Sequence, residues 1–233
     1  MPLLSRYYPA SYTDEQYQIE KHIGWYSLFV STVLVAMLWF IKLMEYEYGF
    51  DFSNWGLLPR DIKGLRGILF SPMIHGNFEH LAANTFPLMV LTFSLFFFYR
   101  KSPFTMFGLI YLFSGIFLWL GGREALHIGA SGIIYGLAAF LFLSGVLSRH
   151  TGLLTISLVV ALLYGGLFWG IFPIKPEISW EGHLWGAISG LALALLFRTP
   201  APIEQVVQSE DEDDANDDGE WKEAQLEPEE PEE

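Results

Sequence analysis

The chain contains no cysteine among its 233 residues. It can therefore form neither a disulfide framework nor a metal site with thiolate ligands. Basic residues are almost absent from residues 200 to 233, where Lys222 stands against fifteen of the 26 acidic residues. This tail carries a formal charge of -14, and the rest of the chain carries +1. Such a composition predicts a disordered segment, here 199–233, which anionic lipid and nucleic acid repel, so no nucleic acid is expected as a partner.

A signal peptide is also not recognisable. The first 24 residues mix Tyr, Asp, Glu and Gln, and they have neither an apolar core nor a small-residue cleavage site. We therefore expect residues 1–24 to form an N-terminal cytoplasmic segment and the first apolar stretch to remain in the protein as a helix.

Apolar residues make up 52% of the chain. They are arranged in stretches long enough to cross a hydrocarbon layer, for which about twenty residues are needed. The sequence thus predicts an all-α polytopic membrane protein with a six-helix domain over residues 25–198. The six predicted spans are 25–44, 79–99, 103–120, 131–147, 153–171 and 183–197.

Basic residues close to the ends of these spans predict the orientation. In a six-span arrangement Lys21, Arg100, Lys101, Arg149 and Arg198 all fall on the side of the two termini. Because cytoplasmic flanks carry an excess of Lys and Arg, both termini are predicted to be cytoplasmic. Three opposing basic residues in the first loop make this bias modest: Arg60, Lys63 and Arg66.

Two of the connecting segments have unusual compositions. Residues 45 to 78 form a long first loop, whose apolar side chains predict an amphipathic structure partly embedded in the membrane. Residues 121 to 130 begin with Gly121-Gly122 and end with Gly129-Ala130, which permits the chain to dip into the protein before the fourth helix begins.

A serine and a histidine lie in separate apolar segments, within Gly129-Ala130-Ser131-Gly132 and at His183. Polar side chains at membrane depth are costly, and they usually mark function. A hydroxyl needs a neighbouring base to become a nucleophile, and imidazole suits that task. Ser131 and His183 are therefore predicted to form a catalytic dyad. Ser131 would lie near the positive end of a helix dipole, where an oxyanion is favoured.

Small residues recur every four positions on the same two segments. Gly132 and Gly136 are four apart, as are Gly186 and Gly190. This spacing allows two helix backbones to approach closely, which would bring Ser131 to His183. Tyr135, one turn after Ser131, is placed to pack on the imidazole.

The second span adds a third polar group, because His80 and Asn84 are four apart and share one helical face. Both can donate N–H groups to a developing oxyanion. A metal site that also used His75 is the minor interpretation, since no acidic or cysteine partner completes it and Asn is a poor zinc ligand. Glu181 would point away from His183 in a helix, so no triad is predicted. No metal is predicted either.

Together these residues resemble the rhomboid family of intramembrane serine proteases. The resemblance covers about residues 25 to 198 and rests on three constellations in order: the His75, His80 and Asn84 spacing, GxSG with Tyr135, and His183 followed by glycines. It implies Ser131 as nucleophile, His183 as general base, and an oxyanion hole of His80, Asn84 and the Ser131 amide. Gly129, Gly132, Gly186 and Gly190 would support this site.

The resemblance further implies transmembrane protein substrates that reach a water-filled cavity laterally, between the second and fifth helices. Residues 172–180, which contain two prolines, would form a cap over the site. No cofactor is implied. The family often has a Trp-Arg pair in the first loop, where this chain has Leu65-Arg66, and Arg66 is expected to hold the loop through backbone carbonyls or a carboxylate.

Some residues of the chain have alternative interpretations, and so does its function. Taken singly, Ser131 or Gly186 would more often be packing residues. His75 is expected to be structural or interfacial, and His22, His127 and His150 are expected to be solvated. The alternative function is a catalytically silent rhomboid-like protein that binds transmembrane clients. A transporter ranks last, because no inverted repeat or charged pathway is detectable. The plasma membrane of a bacterium is the expected location.

Overall fold

The computed structural model describes residues 14–100, 102–149, 151–163, 170–172 and 179–197. Over these residues the fold is all-helical, with seven α-helices. They belong to one compact unit, Met1–Arg198, and the predicted acidic tail lies outside the described residues. The helices are α1 (Asp14–Tyr48), α2 (Gly67–Phe70), α3 (Phe78–Phe98), α4 (Pro103–Gly121), α5 (Ser131–Leu147), α6 (Thr151–Leu163) and α7 (Trp180–Leu196).

The long helices coincide with the predicted apolar segments. Three of them, α1, α3 and α4, are long and apolar enough to cross a membrane, and α5 is a shorter apolar helix. The chain is thus an integral membrane protein. That it crosses the membrane six times remains a prediction. The end of the predicted fifth span, from residue 164 to 169, lies outside the described residues.

Two helix boundaries differ from the predicted ones for identifiable reasons. Helix α1 has 35 residues, so it is about 50 Å long and exceeds a hydrocarbon layer of about 30 Å. Its polar ends continue the helix beyond the apolar stretch that the sequence revealed. Helix α7 begins at Trp180 rather than 183, because the Ser179 side chain accepts a hydrogen bond from the Gly182 amide and caps the helix there.

The first loop is a series of short helical turns between α1 and α3. Gly64 and Gly67 lie so close to the backbone of Leu57 and Leu58 that a Cβ on either glycine would come within 2.3 Å of it. Arg66 donates to the Asn54 carbonyl at 2.7 Å, and its guanidinium lies 5.3 Å from the centre of the Trp55 ring. The loop is folded on itself, with several apolar side chains left exposed: Trp55, Ile62, Leu65, Leu69 and Phe70.

Helix α5 lies at the centre of the bundle. It packs most extensively on α7 and also contacts α3, α4 and α6, whereas α1 packs on α3. Leu137, Phe140 and Leu141 on α5 are completely buried. The central position of α5 places its first residue, Ser131, inside the bundle rather than on its lipid-facing surface.

Glycine carbonyls and Cα atoms form the contact between α5 and α7. A Cβ on Gly186 would lie 2.1 Å from the carbonyl oxygen of Gly132, and one on Gly190 would lie 2.0 Å from that of Gly136. In the other direction, Cβ atoms on Gly132 and Gly136 would lie 3.2 Å from the carbonyls of Gly182 and Gly186. The close approach that the four-residue spacing predicted is therefore present. No residue larger than glycine fits at Gly186 or Gly190 of α7.

We predict that Gly186→Ala destabilises the protein by about 1–3 kcal/mol, because the added methyl group must push the two helices apart. Thermal unfolding in detergent micelles measures this change. Gly108→Ala on α4 is the matched control, since no atom lies within 4 Å of a Cβ at that position. Equal melting temperatures for the two variants would contradict the tight α5–α7 contact.

Candidate active site

Ser131 and His183 are brought together at the start of α5 and α7. His183 Nε2 lies 2.8 Å from Ser131 Oγ. The other ring nitrogen, Nδ1, lies 2.8 Å from the carbonyl oxygen of Gly170. A carbonyl only accepts hydrogen bonds, so Nδ1 carries the proton and Nε2 presents its lone pair to the Ser131 hydroxyl. In this tautomer the imidazole is oriented to remove a proton from Ser131.

Tyr135 fixes the plane of the imidazole. Its ring stacks on that of His183, with 4.2 Å between the centroids and 7° between the planes. Tyr135 is itself buried one turn after Ser131 on α5. The histidine side chain is thus held by a ring on one face and by hydrogen bonds at both nitrogens, which restricts it to one rotamer.

Glu181 does not take part in this arrangement. Its Oε1 lies 3.3 Å from Nε of Arg123, and its side chain is only 5% exposed. Among the described residues, the partner of His183 Nδ1 is the Gly170 carbonyl and not a carboxylate. The pair is therefore a dyad in geometry, with a backbone carbonyl where a triad would have an acid.

His80 and Asn84 converge on Gly129, two residues before Ser131. A Cβ on Gly129 would lie 2.9 Å from His80 Nε2 and 3.8 Å from Asn84 Nδ2. Gly129 has a φ of 110°, a conformation that favours glycine. The Asn84 amide nitrogen is buried and has no hydrogen-bond partner within the described part of the chain. It is an unused donor directed towards the site.

The first turn of α3 holds the backbone of His80 in place. Asn77 caps this helix, and its side-chain oxygen accepts the His80 amide at 2.7 Å. The Ser131 and Gly132 amides belong to the first turn of α5, where N–H groups lack an intrahelical acceptor, whereas the Ile133 amide donates to the Ala130 carbonyl at 3.0 Å. Both amides lie within three residues of Gly129, beside which the His80 and Asn84 side chains lie.

His75 holds the backbone that precedes Ser131. It is only 2% exposed, and its Nε2 accepts the Ala130 amide at 3.3 Å, while the Gly129 amide donates to the Ser71 carbonyl at 2.8 Å. Burial lowers the pKa of His75 to about 3, so the ring is neutral and able to accept this bond. His75 therefore has a structural role. Nowhere in the described ranges do three or more His, Asp or Glu residues form a metal-binding group.

The expectation for His127 was wrong. This histidine was expected to be solvated, but it is 3% exposed and hydrogen-bonded to Ser179. It lies in the glycine-flanked loop that was expected to dip into the protein. That expectation was the one sequence feature that indicated burial of His127. His22 is exposed, as expected, whereas His150 and residues 173 to 178 of the predicted cap, 172–180, lie outside the described residues.

A small, partly polar cavity borders Ser131. It lies between the start of α5, the start of α7 and the middle of α4. Its polar lining consists of Ser71, Tyr111, Ser114, His127, Ser131 and Ser179. Water can be held by such a group of hydroxyl and imidazole side chains, which is a requirement for any hydrolysis inside an apolar bundle.

Comparison with known proteins identifies the family of the chain. The family described as Rhomboid domain matches residues 63–200. An uncharacterized protein of Mycobacterium tuberculosis is 35% identical over 175 residues, which cover 71% of this chain and 73% of that protein. An uncharacterized protein of Mycobacterium leprae is 35% identical over 177 residues, covering 71% and 69%. A putative rhomboid protein of Acanthamoeba polyphaga mimivirus is 29% identical over 145 residues, covering 57% and 75%.

We predict that Gly129→Ala abolishes the reaction of Ser131 with a fluorophosphonate, which labels activated serines. A methyl group at this position would meet the His80 ring at 2.7 Å and would strain a backbone with positive φ. Gly76→Ala is the control, because its Cβ would have one ordinary contact at 3.9 Å, with Ile128. Labelling of Gly129→Ala at the rate of Gly76→Ala would show that His80 does not crowd this position.

Proposed function

The chain belongs to the rhomboid family, and we propose that it is an intramembrane serine endopeptidase with Ser131 as nucleophile and His183 as general base. The observation that carries this proposal is the 2.8 Å contact between Ser131 Oγ and His183 Nε2, together with the Gly170 carbonyl that sets the tautomer of the ring. These features activate a hydroxyl, and a packing serine would not need them.

The reaction follows from this arrangement. Ser131 Oγ attacks the scissile carbonyl carbon as His183 Nε2 takes the hydroxyl proton, which gives a tetrahedral intermediate. His183 then donates the proton to the leaving amine nitrogen, the C–N bond breaks, and an acyl ester remains on Ser131. A water molecule, deprotonated by His183, hydrolyses the ester and restores the hydroxyl. The cavity beside Ser131 supplies a polar path for that water.

His80, Asn84 and the Ser131 amide are proposed to form the oxyanion hole. The Asn84 side-chain amide has no partner in the part of the chain that the structure describes, which supports this role, since a buried donor without an acceptor is costly unless a ligand or an intermediate uses it. His80 Nε2 lies beside it on the same side of Gly129. Loss of one such donor typically lowers kcat by about 10²–10³-fold.

The proposed substrates are membrane proteins cut within or next to a transmembrane helix. The site lies inside a bundle of apolar helices in an integral membrane protein, so a soluble peptide would have to leave water to reach it. Lateral access between the second and fifth predicted spans is part of this proposal. So is a bacterial cell membrane with both termini in the cytoplasm; the mycobacterial relatives support a bacterial setting.

We predict that Ser131→Ala and His183→Ala each lower cleavage of a single-span reporter by about 10⁴-fold or more, because each removes one member of an interdependent pair. The assay uses purified protein in lipid vesicles and a reporter with a helix-breaking segment of small residues. Ser94→Ala and His22→Ala are matched controls: the Ser94 hydroxyl donates to the Val90 carbonyl of its own helix, and His22 is exposed on α1.

The same assay separates the protease from the silent client-binding alternative. Cleavage by the parent chain and the two controls, with none by the dyad variants, supports the proposal. A parent chain that cleaves no reporter and takes no fluorophosphonate label on Ser131 would contradict it and would favour client binding. Labelling without cleavage would leave the nucleophile supported and would reject the reporter sequence.

We further predict that cleavage is unchanged by EDTA and is not stimulated by zinc. The proposed chemistry uses a serine and a histidine, and His75 and His80 have no third ligand within the described residues. Initial rates with and without chelator provide the measurement. Activity that is lost with EDTA and restored by zinc would overturn the metal-free mechanism.

A further inference from the structure

Another buried histidine, His127, lines the cavity that borders Ser131 and belongs neither to the dyad nor to the proposed oxyanion hole. It belongs to the loop between α4 and α5, and its side chain is 3% exposed. Its backbone is fixed to the first loop by two hydrogen bonds with Leu57, at 2.8 and 2.9 Å. The backbone of His127 is therefore held in place, and its ring can hold a neighbouring element through hydrogen bonds.

The hydrogen bonds of His127 have only one consistent direction when the ring is neutral. Nε2 lies 3.2 Å from the carbonyl oxygen of Arg123, so Nε2 carries the proton. Nδ1 then has a lone pair, and it lies 2.5 Å from Ser179 Oγ, which must donate. The same oxygen accepts the Gly182 amide at 3.3 Å. Burial lowers the pKa of His127, which favours the neutral ring that this chain of bonds requires.

The contact joins the two segments that carry the dyad at equivalent points. His127 precedes Ser131 by four residues, and Ser179 precedes His183 by four residues. Ser179 caps α7, and its carbonyl accepts the His183 amide at 3.3 Å. A displacement of Ser179 along the helix axis would therefore move the base by a similar distance.

The glycine contact does not supply this control by itself. Backbone surfaces at Gly132, Gly136, Gly186 and Gly190 fix how near α5 and α7 come, but they carry no side chain that interlocks the helices lengthwise. The Arg123–Glu181 ion pair connects the same two segments at 3.3 Å. The His127–Ser179 hydrogen bond and this ion pair are thus two polar contacts between the segments at the helix starts.

We propose that His127 is a positioning residue, which through its hydrogen bond with Ser179 fixes α7 lengthwise on α5 so that His183 stays in contact with Ser131. The expected loss of rate rests on the proposed function, whereas the expected displacement of α7 relative to α5 rests on the structure alone. A misplacement of about 1 Å in an active site can lower the rate about 10²-fold, so a small shift of α7 is enough to matter.

The kinetic test compares His127→Phe, Ser179→Ala, the double variant and Ser179→Thr with the parent chain. We expect kcat and the fluorophosphonate labelling rate to fall about 10- to 100-fold in the first two variants, with KM within twofold, since the loss acts through the position of His183 rather than through contacts with the substrate. The double variant should be no worse than the more severe single one, because both remove one contact. Ser179→Thr keeps the hydroxyl and should restore most of the rate. His22→Phe is the control for histidine removal.

A geometric test needs no activity, and the absence of cysteine makes it direct. Nitroxides on Leu147→Cys of α5 and Leu191→Cys of α7, both exposed positions, report the distance between the helices by dipolar EPR. We expect one narrow distance in the parent background, and a shifted or broadened distribution with His127→Phe or Ser179→Ala. The Ser179→Thr background should match the parent.

The two tests distinguish failure of this inference from failure of the proposed function. An inactive, unlabelled parent chain with a shifted distance in the variants would reject the protease and support the positioning role. An active parent chain whose His127 and Ser179 variants keep the parent rate and distance would overturn the positioning role. Additive losses in the double variant, or losses that follow only the unfolded fraction in a thermal scan, would overturn it as well.

Discussion

The close contact between the backbones of α5 and α7 is the constraint on which the rest of the structure depends. The carbonyl oxygens of Gly132 and Gly136 occupy the space that side chains at Gly186 and Gly190 would need. Between helices in lipid there is little hydrophobic driving force, so association relies on packing at short distance and on hydrogen bonds. Here the short distance also has a chemical result, since the residues next to the first glycines of each helix are Ser131 and His183.

The histidines near the dyad are held by hydrogen bonds that set the protonation of their rings. The Gly170 carbonyl sets one histidine tautomer and the Arg123 carbonyl sets the other, with opposite nitrogens protonated in His183 and His127. His75 accepts the Ala130 amide, which keeps the backbone before the serine in place. The buried Asn84 amide has no such partner among the described residues, and for that reason it is the best supported of the proposed oxyanion donors.

The loop between α4 and α5 connects these features, although it has no regular structure of its own. It contacts the first loop through Leu57 and the start of α7 through Ser179, and its last residues lead directly into α5. Family membership explains why such a fold is present, but a fold alone does not establish chemistry. The proposed proteolysis therefore depends on the orientation of two imidazole nitrogens and one hydroxyl.

The sequence by itself determined the apolar segments, the helical spacing of the glycines, and the pairing of a serine with a histidine. Each of these follows from a local period or from the cost of a polar residue in lipid, which neighbours along the chain reveal. Only the tertiary structure decided that Gly170 holds the base and that His127 is buried against Ser179. Those partners are 13 and 52 residues apart, and hydrogen bonds over such separations depend on how helices are placed, which no local pattern records.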